Sequence, residues 1–336
     1  MSLTNNTKGV VLLVVAAVAF PLVASGSAMT VMALGGLFAI VAIGLNLLVG
    51  YAGKISFGHN AFMALGAYGT GILTVNYQWS PLPAMLAATI GTGLVALLIG
   101  APILRLRGHY LAMITLAFAQ IVIIVSTRWT EVTGGLTGIP GVPDLSLFGF
   151  AFDTRLKMYY LIWFVAIVLF LLSFRIVDSR FGRALRALGA HQAAAGALGI
   201  DVVRCRIQIF VLSAVYAALA GSLYAHFLNY VNGTFFDLSV MIQLMAILVV
   251  GGIGTLWGPM VGSILLIWIS NSLGGYAEYS HLIFGLIYGA ALLFLPRGLV
   301  GEIAGRLQPR GKREPVSEPD LAAGSPAASA PAASSS

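Results

Sequence analysis

Residues 178–206 read DSRFGRALRALGAHQAAAGALGIDVVRCR and form a polar segment between two long apolar runs. The segment carries five arginines, at positions 180, 183, 186, 204 and 206. Charged side chains are costly inside a bilayer, so a segment with this charge between apolar runs is expected on an aqueous face of a membrane. We therefore expect the polar segment to meet a partner outside the bilayer.

The rest of the chain is too apolar for an ordinary soluble domain. Of its 336 residues, 59% are hydrophobic and 9% are charged, and the mean hydropathy is +0.96. Soluble domains carry about 25% charged residues. The composition predicts an all-α, polytopic membrane protein. The net charge of +7 comes from cations that flank apolar runs, which is an orientation signal and does not indicate nucleic-acid binding.

Apolar runs of about 17–25 residues are long enough to cross a bilayer as helices. The sequence has about ten such runs, near residues 9–26, 29–49, 59–76, 82–103, 109–127, 158–174, 207–227, 239–256, 259–275 and 281–296. With the N-terminus inside, 15 of the 18 lysines and arginines fall in inside loops, and only Arg128, Arg155 and Lys157 fall outside. The positive-inside rule thus predicts that both termini and the polar segment are cytoplasmic.

The middle of the polar segment is predicted to form a short helix, so that the segment as a whole is a loop–helix–loop. Arg180, Arg183 and Arg186 recur every third residue and form a basic stripe, from which Leu185 and Leu188 point away. A small-residue run continues from Ala194 to Gly199, which is a natural helix stop, and Asp201 can cap the helix that follows. A small-residue helix suits a groove in another protein. The simpler alternative is an arginine-rich loop that only orients the chain in the membrane.

Two other regions lie outside the spans. Loop 128–157 contains several Gly and Pro residues, which predict turns, and it could be a cap over the outer mouth that faces a receptor or a plain connector. Residues 307–336 are rich in Ala, Pro and Ser after a basic start, so we expect a disordered cytoplasmic tail.

Two glycine-rich segments interrupt the apolar pattern. The first glycine segment, residues 44–58, reads GLNLLVGYAGKISFG, and the second glycine segment, residues 250–259, reads VGGIGTLWGP. Superimposed, the two share a Val-Gly-x-x-Gly pattern, as expected of a worn internal repeat. Each segment is either an unwound stretch that lines a substrate path or a tight cytoplasmic turn between two helices.

These motifs resemble those of the M-type membrane subunit of bacterial ABC importers for branched-chain amino acids. The family patterns FGRALRAI and AAxALGI match residues 181–188 and 194–200, and its GLNLxxGxxGxxSxG and GGxGTxxGP signatures match the two glycine segments. The resemblance covers nearly the whole chain except the tail. The departure lies at residues 189–192 and 196, which family members often fill with charged side chains.

The resemblance implies a permease domain over residues 1–306 in the bacterial inner membrane, importing Leu, Ile or Val. It also implies a homologous permease as heterodimer partner, two cytoplasmic ATPases and a periplasmic substrate-binding protein. Residues 178–206 would then be the coupling region, where the docking residues are Arg180, Arg183, Arg186, Ala194, Ala195 and Gly199. The candidate translocation-path residues are Asn46, Gly50, Gly53, Ser56, Gly58, Gly251, Gly252 and Gly254.

Other functions remain open or are disfavoured by the residues. The same permease family also serves urea, short amides and aromatic acids. A secondary carrier working alone usually needs a charged group within a span, and none lies at the centre of the assigned spans. A scaffold that transports nothing is a third possibility. The sequence has no Gly-x-x-x-x-Gly-Lys-Ser/Thr phosphate loop, no Gly-x-Ser-x-Gly nucleophile elbow and only one cysteine. We therefore expect this chain to catalyse no reaction and to bind no metal or cofactor. ATP would be used by its partners.

Overall fold

The computed structural model describes residues 3–24, 26–106, 109–147, 150–272 and 298–307, together with Gly285 and Gly289. The tail beyond Leu307 lies outside the described residues, and so does the tenth predicted span near 281–296 apart from those two glycines.

The described chain is mostly α-helical. Its helices are α1 (Leu3–Val23), α2 (Gly26–Asn46), α3 (His59–Val75), α4 (Pro81–Ile103), α5 (His109–Arg128), α6 (Thr130–Thr133), α7 (Arg155–Asp178), α8 (Arg180–Ala190), α9 (Gln192–Ala197), α10 (Val202–Leu228), α11 (Leu238–Gly251), α12 (Trp257–Ser272) and α13 (Gly298–Leu307). A π-helical turn, Leu47–Tyr51, extends α2. Two 3₁₀ turns occur, Gly135–Thr137 and Gly233–Phe236.

Five helices of the described chain are long and apolar enough to cross a membrane, namely α2 with its π-helical turn, α4, α5, α7 and α10. The first nine predicted spans each coincide with a helix, although the ends differ by up to several residues. Helix α11, for example, ends at Gly251 and not at 256, because Gly252 adopts a φ of +116°, which a continuing helix cannot accommodate.

Helices α2, α3 and α10 form the centre of the bundle. Residues of α2 from Gly35 onward are buried, between α7, α10 and α12. Helices α3 and α10 approach so closely that a Cβ on Gly66 would strike the backbone of Ala218, and one on Gly221 would strike the carbonyl of Met63. Small residues permit this approach in membrane proteins, where interhelical packing and hydrogen bonds hold helices together.

The long helices run between two ends of the bundle. Helix α7 ends, and α10 begins, at the polar segment, and the opposite ends of these helices meet loop 128–157. We name these the polar-segment end and the loop end. Helix α10 has 27 residues, so the two ends lie about 40 Å apart.

Both terminal helices of the described chain reach the polar-segment end. A Cβ on Gly9 of α1 would lie 2.7 Å from the ring of Trp257, and Gly298 at the start of α13 packs on the backbone of Gly252. Gly252 lies in the turn between α11 and α12, and Trp257 begins α12 and packs against Phe174 near the end of α7. The start of α1, α13 and the polar segment therefore share one end of the bundle.

Loop 128–157 is folded against the segment that follows α10. Strand β1 (Ile139–Pro140) pairs antiparallel with β4 (Tyr230–Val231), and β2 (Ser146–Leu147) pairs with β3 (Phe150–Ala151) in a hairpin. The predicted turns are confirmed, since the loop glycines at positions 134, 135, 138 and 141 all have positive φ.

Candidate functional site

Helix α8 presents the basic stripe that the sequence predicted. Ser179 caps its first turn, accepting a hydrogen bond from the Gly182 amide at 3.2 Å. Leu185 and Leu188 are buried, whereas the three stripe arginines are exposed. The predicted amphipathic helix is confirmed.

Two of the stripe arginines also have a structural role that sequence reasoning missed. Arg183 Nη1 donates to the Asp178 carbonyl at 3.2 Å, and Arg186 Nη2 donates to the Val177 carbonyl at 3.1 Å. These carbonyls end α7, where helices leave acceptors unpaired and favour positive charge. The guanidinium of Arg180 makes no hydrogen bond or ion pair with any described residue and is exposed, so it is available to a partner.

The second half of the polar segment has the predicted helix stop and cap. The prediction of one helix is wrong in one respect: the chain is extended at His191, which divides the helical part into α8 and α9. Gly199 has a φ of +80°, and Asp201 Oδ1 accepts from the Arg204 amide at 3.0 Å to start α10. Ala194 lies in α9, Ala195 is buried within the chain, and Gly199 is exposed.

Helix α8 rests directly on the first glycine segment. A Cβ on Gly189 would lie 2.6 Å from the Tyr51 carbonyl oxygen. Gly53 has a φ of +62°, and a Cβ built on it would lie 3.3 Å from Gly189 Cα. Backbone therefore touches backbone here, and the absence of side chains at Gly53 and Gly189 is what allows it.

The two glycine segments also contact each other. Asn46 reaches across from the end of α2, donating from Nδ2 to the Thr255 carbonyl at 2.8 Å and accepting at Oδ1 from the Gly254 amide at 2.9 Å. Between them lies Gly50, whose added Cβ would lie 2.8 Å from Gly254 Cα. The π-helical turn Leu47–Tyr51 carries Gly50 into this position, and such turns are frequent at functional sites.

The second glycine segment is also tightly packed. A Cβ on Gly251 would strike the backbone of Gly258, and one on Gly298 would strike that of Gly252. Gly252 and Gly254 both have positive φ. We call the resulting contact series, from Gly189 through residues 46–53 to residues 251–258, the glycine stack.

Ser56 and Gly58 lie apart from the glycine stack. Ser56 Oγ is 3.4 Å from His59 Nδ1, and His59 Nε2 is 3.0 Å from Ser213 Oγ on α10. A Cβ on Gly58 would lie 3.1 Å from the Thr115 carbonyl oxygen on α5. The structure thus divides the candidate path residues into a stack at the polar-segment end and a buried junction of α3, α5 and α10.

The described residues offer no group of three His, Cys, Asp or Glu side chains that could hold a metal ion. The glycine stack is suited to transmit movement, because it joins the exposed basic helix α8 to the α2–α3 turn and the α11–α12 turn. Its roles in ATPase docking and in the translocation path stay predictions.

A bundle of apolar helices, with five among the described residues long enough to cross a bilayer, defines a multi-pass membrane protein. Residues 27–296 match the family of branched-chain amino acid transport system permease components. The chain belongs to that family. It is a membrane permease for branched-chain amino acid transport.

Relatives of two kinds match the chain. It is 33% identical over 318 residues to the high-affinity branched-chain amino acid transport system permease protein LivM of Escherichia coli, covering 86% of this chain and 74% of that protein. It is 24% identical to the probable LivM of Methanocaldococcus jannaschii, covering 80% and 91%. It is 25% identical to LivH of Escherichia coli, covering 80% and 92%. No solved structure matches the chain.

Proposed function

We propose that this chain is one of two membrane subunits of an ATP-driven importer for Leu, Ile and Val. Its relatives carry the names of high-affinity branched-chain amino acid transport permeases, of the M and H types, and the chain is similar to both. Two similar subunits suit a pseudosymmetric pair, so a homologous permease is the proposed heterodimer partner.

The observation that carries the proposal is the contact of α8 with the glycine stack. Two cytoplasmic ATPases would dock on the exposed face of the polar segment, with Arg180 and the exposed chain at Gly199 as the free contact points. Movement of α8 would reach Gly53 through Gly189 without a flexible side chain between them. ATP is bound and hydrolysed in those partner chains, and this chain holds no cofactor.

The proposed topology has ten spans, with both termini inside, in the bacterial inner membrane. The positive-inside rule puts the polar segment in the cytoplasm. The shared position of α1, α13 and the polar segment at one end supports this orientation. The loop end then faces the periplasm, where a substrate-binding protein would deliver the amino acid.

The docking proposal is tested by cysteine crosslinking in the complete transporter. In a Cys205→Ala background, a single cysteine at exposed Ala190 is expected to form an adduct with an ATPase subunit, and the adduct yield should change with ATP. The matched control is Ser80→Cys, an exposed residue at the start of α4 whose side chain caps no amide. Adducts of equal yield at both positions, or at neither, would refute docking at the polar segment.

The cargo is tested by uptake into proteoliposomes that contain both permeases, the ATPases and the binding protein. Leucine, isoleucine and valine uptake should require ATP and the binding protein. Uptake of urea, short amides or aromatic acids instead would show the same type of ATP-driven importer with a different substrate. Leucine uptake by this chain without ATPases would show a secondary carrier.

A further inference from the structure

A cavity of about 270 Å³ opens at the loop end, between the start of α7, the end of α10 and the start of α2. The cavity is lined by both apolar and polar side chains. Phe152, Met158 and Phe227 provide apolar surface, while Asp144, Arg155 and His226 provide charged and polar groups. A concave site that combines apolar surface with convergent polar groups can hold a small molecule that has both an apolar and a charged part.

His226 is the buried polar group of this cavity. Only 2% of its surface is exposed. Its Nδ1 lies 2.7 Å from the Pro143 carbonyl oxygen, and since a carbonyl only accepts, Nδ1 carries the hydrogen. In the neutral ring, Nε2 is then an acceptor, and no described residue donates to it. Buried acceptors are normally satisfied, so this nitrogen needs a donor.

The charged groups of the cavity differ in whether they already have a hydrogen-bond or ion-pair partner. Asp153 binds Lys157, whose hydrogen bond holds the pKa of that carboxyl below its usual range. Asp144 Oδ1 accepts from Asn229 Nδ2 at 2.9 Å, and its second oxygen has no donor among the described residues. The guanidinium of Arg155 makes no hydrogen bond or ion pair with any described residue.

Arg155 also stands out in the charge pattern. It is one of three cations that the positive-inside rule leaves on the outer side. Lys157 pairs with Asp153, but membrane orientation does not explain a free guanidinium at the edge of a cavity. Guanidinium groups bind carboxylates in a bidentate fashion.

We propose that this cavity binds the zwitterion of an aliphatic α-amino acid, with Arg155 taking its carboxylate and His226 and Asp144 taking its ammonium group. The apolar side chain then lies against Phe152, Met158 and Phe227. The inference rests on the proposed function, and it adds a receiving site on the permease itself, at the end that faces the binding protein.

The test measures binding of radiolabelled leucine to the complete transporter in nanodiscs without binding protein. The competitors are leucinamide, which lacks the carboxylate, and 4-methylpentanoate, which lacks the ammonium group. The wild type should prefer leucine to both. Arg155→Gln should weaken leucine binding about 10- to 100-fold, as expected when a hydrogen bond to a charged group is lost, and should no longer distinguish leucine from leucinamide.

Two further variants sharpen the test. His226→Asn keeps a donor near the Nδ1 position and removes Nε2, so it should lose part of the preference over 4-methylpentanoate. Arg128→Gln removes another outer cation that does not line the cavity, and it should bind leucine as the wild type does.

Three outcomes would overturn the inference. The first is that the wild-type transporter binds no leucine in the absence of the binding protein but still takes up leucine in its presence. This result would leave the proposed function intact. Another is equal loss in Arg155→Gln and Arg128→Gln. The third is unchanged leucine binding in Arg155→Gln with a weaker affinity for the binding protein, which would make Arg155 a protein-docking residue. Failure to transport any branched-chain amino acid would instead refute the proposed function itself.

Discussion

The polar-segment end of the bundle and its loop end are held together by different contacts. In the glycine stack, the Gly189 and Gly53 backbones touch, and Gly50 touches Gly254. At the loop end, the short strands β1 and β4 pair through their backbones, and side chains reinforce the contact. Asn229 Nδ2 donates to the Val142 carbonyl, and Tyr230 Oη donates to the Thr137 carbonyl.

The difference teaches where movement can pass through the molecule. Rotatable side chains absorb displacement, whereas backbone in direct contact must move together or separate. The glycine stack therefore suits transmission of force from α8 to two turns of the bundle. The strand pair and side-chain hydrogen bonds of the loop end, each contributing about 1 kcal/mol, join a loop to the segment that follows α10 and do not connect one helix turn to another.

The largest effect is expected from Gly50→Ala. The added methyl would lie within 2.8 Å of Gly254 Cα, and backbone cannot turn aside as a side chain can. Overpacking of this kind costs about 3 kcal/mol, at the upper end of its usual range. We expect a lower unfolding temperature in detergent and loss of most ATP-driven uptake.

The control for Gly50→Ala is Gly91→Ala in α4. Nothing lies within 4 Å of a Cβ built on Gly91, so alanine there should be neutral or stabilise the helix by roughly 0.4–1 kcal/mol. If both variants have the same unfolding temperature and uptake, the glycine stack is not a tight contact and the comparison between the two ends fails.

A smaller effect is expected from Asn46→Ala. The change leaves the Gly254 amide and the Thr255 carbonyl without their partner, at a cost of about 2 kcal/mol. Because the two glycine segments would no longer be tied to each other, we also expect fewer amino acids transported per ATP hydrolysed. Uptake and ATPase rates, measured on the same proteoliposomes, give this ratio.

Asn76→Ala provides the comparison for that variant. Asn76 is exposed at the end of α3, and its side chain has no hydrogen bond with a described residue, so its loss should change the unfolding free energy by less than about 0.5 kcal/mol. If the Asn46→Ala transporter matches Asn76→Ala in both stability and transport ratio, the hydrogen bonds of the Asn46 side chain do not couple the two glycine segments.

Local features of the fold were predictable because they depend on neighbouring residues. The burial of Leu185 and Leu188 follows from the helical period, and the Asp201 cap follows from residue type and position. The family resemblance, read from short motifs, was confirmed by the match over residues 27–296.

The contacts of the glycine stack were not predictable in the same way. Asn46 and Gly254 are 208 residues apart, and a shared Val-Gly-x-x-Gly pattern indicates similarity of two turns, not contact between them. The π-helical turn has no distinct composition, since it depends on how the end of α2 packs. The capping of α7 by Arg183 and Arg186 was signalled only by cations just beyond a helix end.

The smallest effect is expected from Tyr230→Phe at the loop end. The change removes the hydroxyl that donates to the Thr137 carbonyl at 2.7 Å and accepts from Asn232 at 3.0 Å. Since the site is partly exposed, we expect a loss of about 1 kcal/mol that is confined to the loop. Amide hydrogen exchange over residues 134–142 should accelerate about fivefold, with the global unfolding temperature unchanged. Tyr77→Phe, at an exposed tyrosine whose hydroxyl has no hydrogen bond to a described residue, should change neither quantity. A fall in global stability as large as that of Gly50→Ala would mean that the loop end is as rigidly joined as the glycine stack, and movement would then pass equally through both ends.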